Sequence, residues 1–157
     1  MLDLPILLAA RLTQLKWLMA TAESCTGGMM AARCTDLAGS SAWFDRGFVT
    51  YSNEAKTQML GVPHELIATH GAVSEPVARA MAMGAVYRSQ AQASVAVTGI
   101  AGPGGGSLDK PVGTVWLAWC IGGLVTAEVK HFEGDRNQIR QATTTHALQG
   151  LVARLPV

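Results

Sequence analysis

The apolar residues of the chain keep two rhythms in turn, one near 3.6 residues and one of short unbroken or alternating runs. Leu4, Leu7, Leu8, Leu12 and Leu15 keep the first and predict an amphipathic helix. Trp17 to Ala22 is an apolar run that predicts a buried strand, and from Met29 to Leu37 helical spacing returns until Ala38-Gly39-Ser40-Ser41 breaks it. Trp43 to Tyr51 mixes aromatic and β-branched residues and reads as a second strand. Ser52-Asn53-Glu54 then opens a helix that contains Lys56 and stops at Gly61-Val62-Pro63, with a short helical piece from Pro63 to Ala68 after it. Ser74 fits an N-cap and Pro76 a first turn, and Val77, Ala80, Met81 and Gly84 share one face of a helix reaching about Gln90.

In the second half Ser94 to Thr98 is a β-branched strand, followed by the glycine-rich stretch Gly99 to Ser107. Thr114 to Ile121 is apolar on both faces, as a central strand is, and Gly122-Gly123 signals a hairpin. In its partner, Leu124 to Phe132, Val125, Ala127 and Val129 alternate with Thr126, Glu128 and Lys130, so this strand belongs near an edge. Gly134-Asp135 caps a final helix whose stripe is Ile139, Ala142, His146, Leu148, Leu151, Val152 and Leu155. Helices alternating with strands and ending in a hairpin predict one α/β layered domain over residues 1–157 with a mixed sheet. There is no internal repeat or low-complexity tract.

Composition narrows the class. With 157 residues, 49% hydrophobic and 15% charged, the chain can bury a core without disulfides or metal. Its apolar runs are too broken for a membrane span, and the start lacks the basic flank of a signal peptide, so the cytoplasm is the expected compartment. Twelve basic and eleven acidic residues give a net charge of +1 and form no block, which removes the electrostatic footprint of a nucleic-acid binder. Small molecules or protein surfaces are left as partners. A mean hydropathy of +0.24 is high for a small monomer and predicts a homo-oligomer, a dimer. Cys25, Cys34 and Cys120 have no zinc or redox spacing, and His64, His70, His131 and His146 form no HxH or HExxH pattern, so reduced thiols and no metal site are expected.

The candidate chemistry gathers at Thr21-Ala22-Glu23-Ser24-Cys25-Thr26-Gly27-Gly28, where an apolar run meets a polar kink and a helix start. Two readings fit. Ser24 or Thr26 is a helix cap, or Ser24 is a nucleophile delivered by a strand to helix N–H groups that can hold an oxyanion. Cys25 is a rival nucleophile if the helix start lowers its thiol pKa. No GxSxG elbow occurs, so the base for Ser24 is sought among lysines, and Lys56, five residues after Tyr51, is the best candidate, with the Tyr51 phenol as a possible relay. The Gly99–Gly106 loop meets neither the Walker A nor the dinucleotide fingerprint and is either a flexible connection or a place of close ligand approach. Arg136 and Arg140 lie one turn apart, either solvated or facing a phosphate or carboxylate.

The segments AESCTGG (Ala22–Gly28), AGSSAWFDRGFVTYSNEAK (Ala38–Lys56), HGAVSEPV (His70–Val77), TGIAGPGGGSLDKPVGTVW (Thr98–Trp116) and GDRNQIRQA (Gly134–Ala142) resemble the CinA C-terminal family, which includes bacterial nicotinamide-nucleotide amidases. The resemblance implies a three-layer α/β/α sandwich. It implies hydrolysis of the carboxamide of nicotinamide mononucleotide to nicotinic acid mononucleotide and ammonia, without metal or organic cofactor, in recycling of pyridine nucleotide. Carried onto this chain, it makes Ser24 the nucleophile, Lys56 its general base and Tyr51 an orienting or relay group. The N–H groups around Thr26, Gly27 and Gly28 are then expected to hold the oxyanion. The nucleotide is expected against Ser40, Ser41 and the loop with Gly99 and Gly102, with Arg136 or Arg140 toward its phosphate. Longer family members carry an extra N-terminal domain, and the expectation here is the stand-alone amidase. The alternative is a nucleotide-binding or competence-related regulatory module without turnover, against which intact Ser24, Tyr51 and Lys56 argue. A third reading keeps the chemistry and changes the amide. Phosphoryl transfer is disfavoured by the absence of a Walker lysine or a paired-carboxylate metal motif.

Overall fold

The computed structural model describes residues 3–157. Its elements run α1 (Leu4–Leu15), β1 (Met19–Glu23), α2 (Met29–Thr35), a 3-10 turn (Ser40–Ala42), β2 (Phe44–Val49), α3 (Asn53–Leu60), α4 (His64–His70), α5 (Glu75–Tyr87), β3 (Ala93–Gly99), β4 (Thr114–Ile121), β5 (Leu124–His131) and α6 (Arg136–Arg154). The strands form one sheet in the order β2-β1-β3-β4-β5. β1 pairs parallel with both β2 and β3, whereas β4 pairs antiparallel with β3 and with β5. The mixed sheet and the edge position of the last strand agree with the hydrophobic pattern.

Helices cover both faces of the sheet, and the pleat sorts the residues between them. Val95 and Val97 of β3 join Leu117 and Trp119 of β4 in one core with Leu8 and Leu12 of α1, Met30 of α2 and Ile139 and Leu148 of α6. Between them, Ala96 of β3 and Ala118 of β4 turn to the other face, where Ala20 and Ala22 of β1 meet Val77, Met81 and Ala85 of α5. Bulky residues therefore line the α6 side and alanines the α5 side, so α5 lies close upon the sheet. Leu60 at the end of α3 comes closer still, because a Cβ on Gly84 of α5 would collide with the Leu60 carbonyl.

Boundaries move where capping overrides periodicity. α1 ends at Lys16, left-handed at φ 56°, whose N–H reaches the carbonyls of Leu12 and Thr13, so β1 starts at Met19 and not at Trp17. α2 stops at Thr35 and α5 at Tyr87, short of the expected Leu37 and Gln90. α6 begins with a full capping box, the Asp135 side chain accepting from the Gln138 N–H and the Gln138 side chain from the Asp135 N–H. Ala142 is only half-buried, whereas Thr143 and Thr144 are buried, each hydroxyl donating to the carbonyl four residues earlier. Among the described residues no helix is long and apolar enough to cross a membrane.

Candidate active site

β1 is the switch point of the sheet. The chain leaves it toward β2 by way of α2 on one face, and leaves β2 toward β3 by way of α3, α4 and α5 on the other. A crevice opens where such connections diverge, at the carboxyl ends of parallel strands. Ser24 sits there, directly after β1, with its N–H held by the Val97 carbonyl of β3 at 3.2 Å.

Lys56 reaches the same point from α3. Ser52 caps that helix by accepting from the Ala55 N–H, which fixes the first turn and aims Lys56 inward. Its Nζ lies 3.0 Å from Ser24 Oγ, 2.9 Å from the Thr50 carbonyl and 3.2 Å from the Tyr51 carbonyl. Lys56 is 1% exposed and Ser24 8%, and among the described residues no carboxylate stands within ion-pair distance of the amine. Burial pushes the Lys56 pKa below its ordinary value. Three oxygens surround the amine, and when it is neutral they divide by role. Two carbonyls take its two hydrogens, and its lone pair then faces the Ser24 hydroxyl.

The expectation that Ser24 or Thr26 caps α2 is corrected by Glu23. This carboxylate is wholly buried, and its two oxygens accept from the Thr26 hydroxyl at 2.5 Å and from the N–H groups of Gly28, Met30 and Ala31 at 3.0–3.1 Å. Glu23 thereby takes the place of a cap for the first turn of α2. Gly27 donates its N–H to the Ser24 carbonyl at 3.1 Å. The N–H groups of Gly27 and Gly28, expected to receive an oxyanion, are thus already engaged. Among the described residues, those of Cys25 and Thr26 pair with no backbone carbonyl; Cys25 lines the cleft, whereas Thr26 is wholly buried. The Cys25 thiol is pushed up to about 11, first by burial and then by the Glu23 charge, the opposite of the lowering expected at a helix start.

A cleft of about 200 Å³ lies over Ser24 and Lys56, with Tyr51, Asn53, Thr98 and Arg136 among its lining residues. Arg136 donates to the Gly102 carbonyl at 2.8 Å and to the Tyr51 phenol oxygen at 3.1 Å. The Tyr51 phenol, on a side chain 60% exposed, is therefore tied to Arg136, and it is the Tyr51 backbone carbonyl that meets Lys56. Gly99 lines the cleft, Gly102 joins it through Arg136, and Gly104, Gly105 and Gly106 are exposed. Arg140 points elsewhere, to the carbonyls of Cys25 and Thr26 at 3.0 and 3.2 Å.

Ser40 and Ser41 are not brought to this site. They precede β2, which runs parallel to β1, so they stand at the opposite end of a strand of six residues, roughly 20 Å long at about 3.3 Å per residue. Glu23 and Thr98 are site residues that sequence reasoning left unassigned. The signal for Glu23 was a single carboxylate in an apolar run, which needs a partner once buried.

The model of the CinA C-terminal domain matches residues 3–155. The chain belongs to that family. Over 134 residues it is 58% identical to the protein named nicotinamide-nucleotide amidohydrolase PncC of Escherichia coli strain K12, covering 83% of this chain and 80% of that one. A CinA-like protein of Akkermansia muciniphila is 55% identical over 134 residues, which are 85% of this chain and 32% of that longer relative. Among solved structures, the competence/damage inducible protein CihA of Agrobacterium tumefaciens superposes with a TM-score of 0.91 at 50% identity, covering 98% of this chain and 96% of its own. The competence damage-inducible protein A of Klebsiella pneumoniae gives 0.94 at 38% identity, with 98% and 95% covered. The α/β fold is thus the fold of the CinA superfamily.

Proposed function

We propose that this family member hydrolyses the carboxamide of nicotinamide mononucleotide to nicotinic acid mononucleotide and ammonia by a serine–lysine mechanism. The observation that carries the reading is the 3.0 Å contact between a buried lysine, without a carboxylate partner among the described residues, and a serine hydroxyl at the floor of a cleft. The amidohydrolase name of the Escherichia coli relative supplies the substrate.

Neutral Lys56 takes the Ser24 proton as Oγ adds to the carboxamide carbon. The carbonyl π electrons move to oxygen, where the N–H of Cys25, which lines the cleft next to Ser24, is the donor nearest in sequence. Collapse of the tetrahedral adduct breaks the C–N bond, and the lysine ammonium returns its proton to the departing nitrogen, which leaves as ammonia. Water then adds to the acyl-serine with Lys56 as base, and the C–O bond to Ser24 breaks, giving the carboxylate product and the free hydroxyl. Arg136 and the Tyr51 phenol it holds line the cleft and fit the phosphate end of the nucleotide. The setting of the reading is cytoplasmic, without metal or organic cofactor.

The test is ammonia release from nicotinamide mononucleotide by the parent, Ser24→Ala and Lys56→Ala. Each substitution is expected to lower kcat at least about a thousandfold, as loss of a nucleophile or its base does. A folded parent that binds the nucleotide and releases no ammonia would replace this reading with the regulatory module. A homodimer belongs to the same proposal, supported by exposed Tyr87, Met83 and Leu124. Light scattering at micromolar concentration should give twice the chain mass, and a monomer mass overturns it.

A further inference from the structure

The loop that carries Ser24 is gripped from two directions. Glu23 accepts the N–H groups of Gly28, Met30 and Ala31 at its helical end, and Arg140 of α6 donates to the carbonyls of Cys25 and Thr26 at 3.0 and 3.2 Å. A trans peptide aims its C=O and its N–H in opposite directions. With the Cys25 carbonyl on the guanidinium, the Thr26 N–H is turned away from it. With the Ser24 carbonyl on the Gly27 N–H, the Cys25 N–H is turned the opposite way as well. We propose that Arg140 is a positioning residue that, by holding the Cys25 and Thr26 carbonyls, fixes the loop and with it the direction of the N–H of cleft-lining Cys25 toward the oxyanion, and that it does not bind the substrate phosphate.

Three observations support this beyond the two hydrogen bonds. Arg140 is not among the residues lining the cleft, whereas Arg136 is. Gly27 has φ +59°, and a Cβ there would stand 3.3 Å from Arg140 Nη2, so the absence of a side chain lets the guanidinium lie against the loop. The Thr144 hydroxyl donates to the Arg140 carbonyl at 2.9 Å, adding a tie inside α6 at the arginine's own turn. The role rests on the amidase reading only for its substrate, since the loop geometry would serve any attack by Ser24 on an acyl or phosphonyl centre.

The experiment compares Arg140→Met and Arg140→Lys with the parent in two assays. One is the Kd of nicotinamide mononucleotide in a Ser24→Ala background, where no turnover intervenes. The other is the rate at which a fluorophosphonate labels Ser24, a reaction in which the O–P bond forms, the P–F bond breaks, fluoride leaves and Lys56 takes the hydroxyl proton. Loss of an oxyanion donor costs about 10²–10³ in rate. Arg140→Met is therefore expected to slow labelling at least about tenfold and to lower kcat with KM unchanged, while Kd stays within about twofold. Arg140→Lys, able to hold one carbonyl, should recover part of the rate. Weakening of Kd by about tenfold or more with labelling at the parent rate overturns the proposal and makes Arg140 a phosphate ligand. If Arg140→Met does not fold, Arg140→Lys carries both readings, and a parental labelling rate in it overturns the proposal. Arg140-dependent labelling in a parent that releases no ammonia would overturn the amidase reading and leave the positioning role standing.

Discussion

The acid–base behaviour of the site follows from where single side chains are buried. Because burial lowers the Lys56 pKa, the neutral base gains population as pH rises through that lowered value. kcat/KM for ammonia release is expected to rise with pH along one ionisation below the ordinary lysine value of 10.5, and a flat profile up to that value would contradict the assignment. The same shift acts on stability. Between the folded and unfolded pKa values the unfolded chain binds the extra proton, so stability rises with pH through that window and the penalty is fully present below it. Cys25 behaves in the opposite sense: with its thiol near 11, iodoacetamide at pH 8 should modify it far more slowly than an exposed thiol. Glu23→Gln puts an amide donor among the Thr26 hydroxyl and three N–H groups, and should cost about 3 kcal/mol of stability in urea denaturation. The pairing of Ser24 with Lys56 was legible at this scale from residue type and family motif. The work of Glu23 was only half legible, because a lone carboxylate in an apolar run signals that it needs partners, but three of its four are backbone N–H groups that leave no mark in the sequence.

At the scale of elements, the helix α3 that carries Lys56 is set by its contact with α5. Gly84→Ala would push a methyl group into the Leu60 carbonyl, one helical turn beyond Lys56. It should lower stability by about 1–3 kcal/mol in thermal denaturation. It should also lower kcat by about tenfold or more in protein that remains folded, since small displacements of a catalytic group are costly. Loss of stability with kcat unchanged would show that α3 shifts without moving its lysine. Helices and the edge strand β5 were legible from periodicity because one face of each is covered, and the central strands from unbroken apolar runs because both faces are. Ser40 and Ser41 were misplaced for a different reason. Their serines resemble ligand groups, but only the parallel pairing of β2 with β1 reveals which end of the sheet they occupy.

The whole molecule places its parts of the site on opposite layers. α3 brings Lys56 from the α5 side, α6 brings Arg136 and Arg140 from the other, and β1 carries Ser24 between them. The contact of Arg140 with the Cys25 carbonyl spans 115 residues, whereas that of Lys56 with Ser24 spans 32. Ribosomal synthesis therefore delivers the nucleophile and its base well before the guanidinium that aligns their loop. A nascent chain halted after β5 would hold both reacting groups without the guanidinium of α6, so the full rate of amide cleavage is expected only once α6 has emerged and docked.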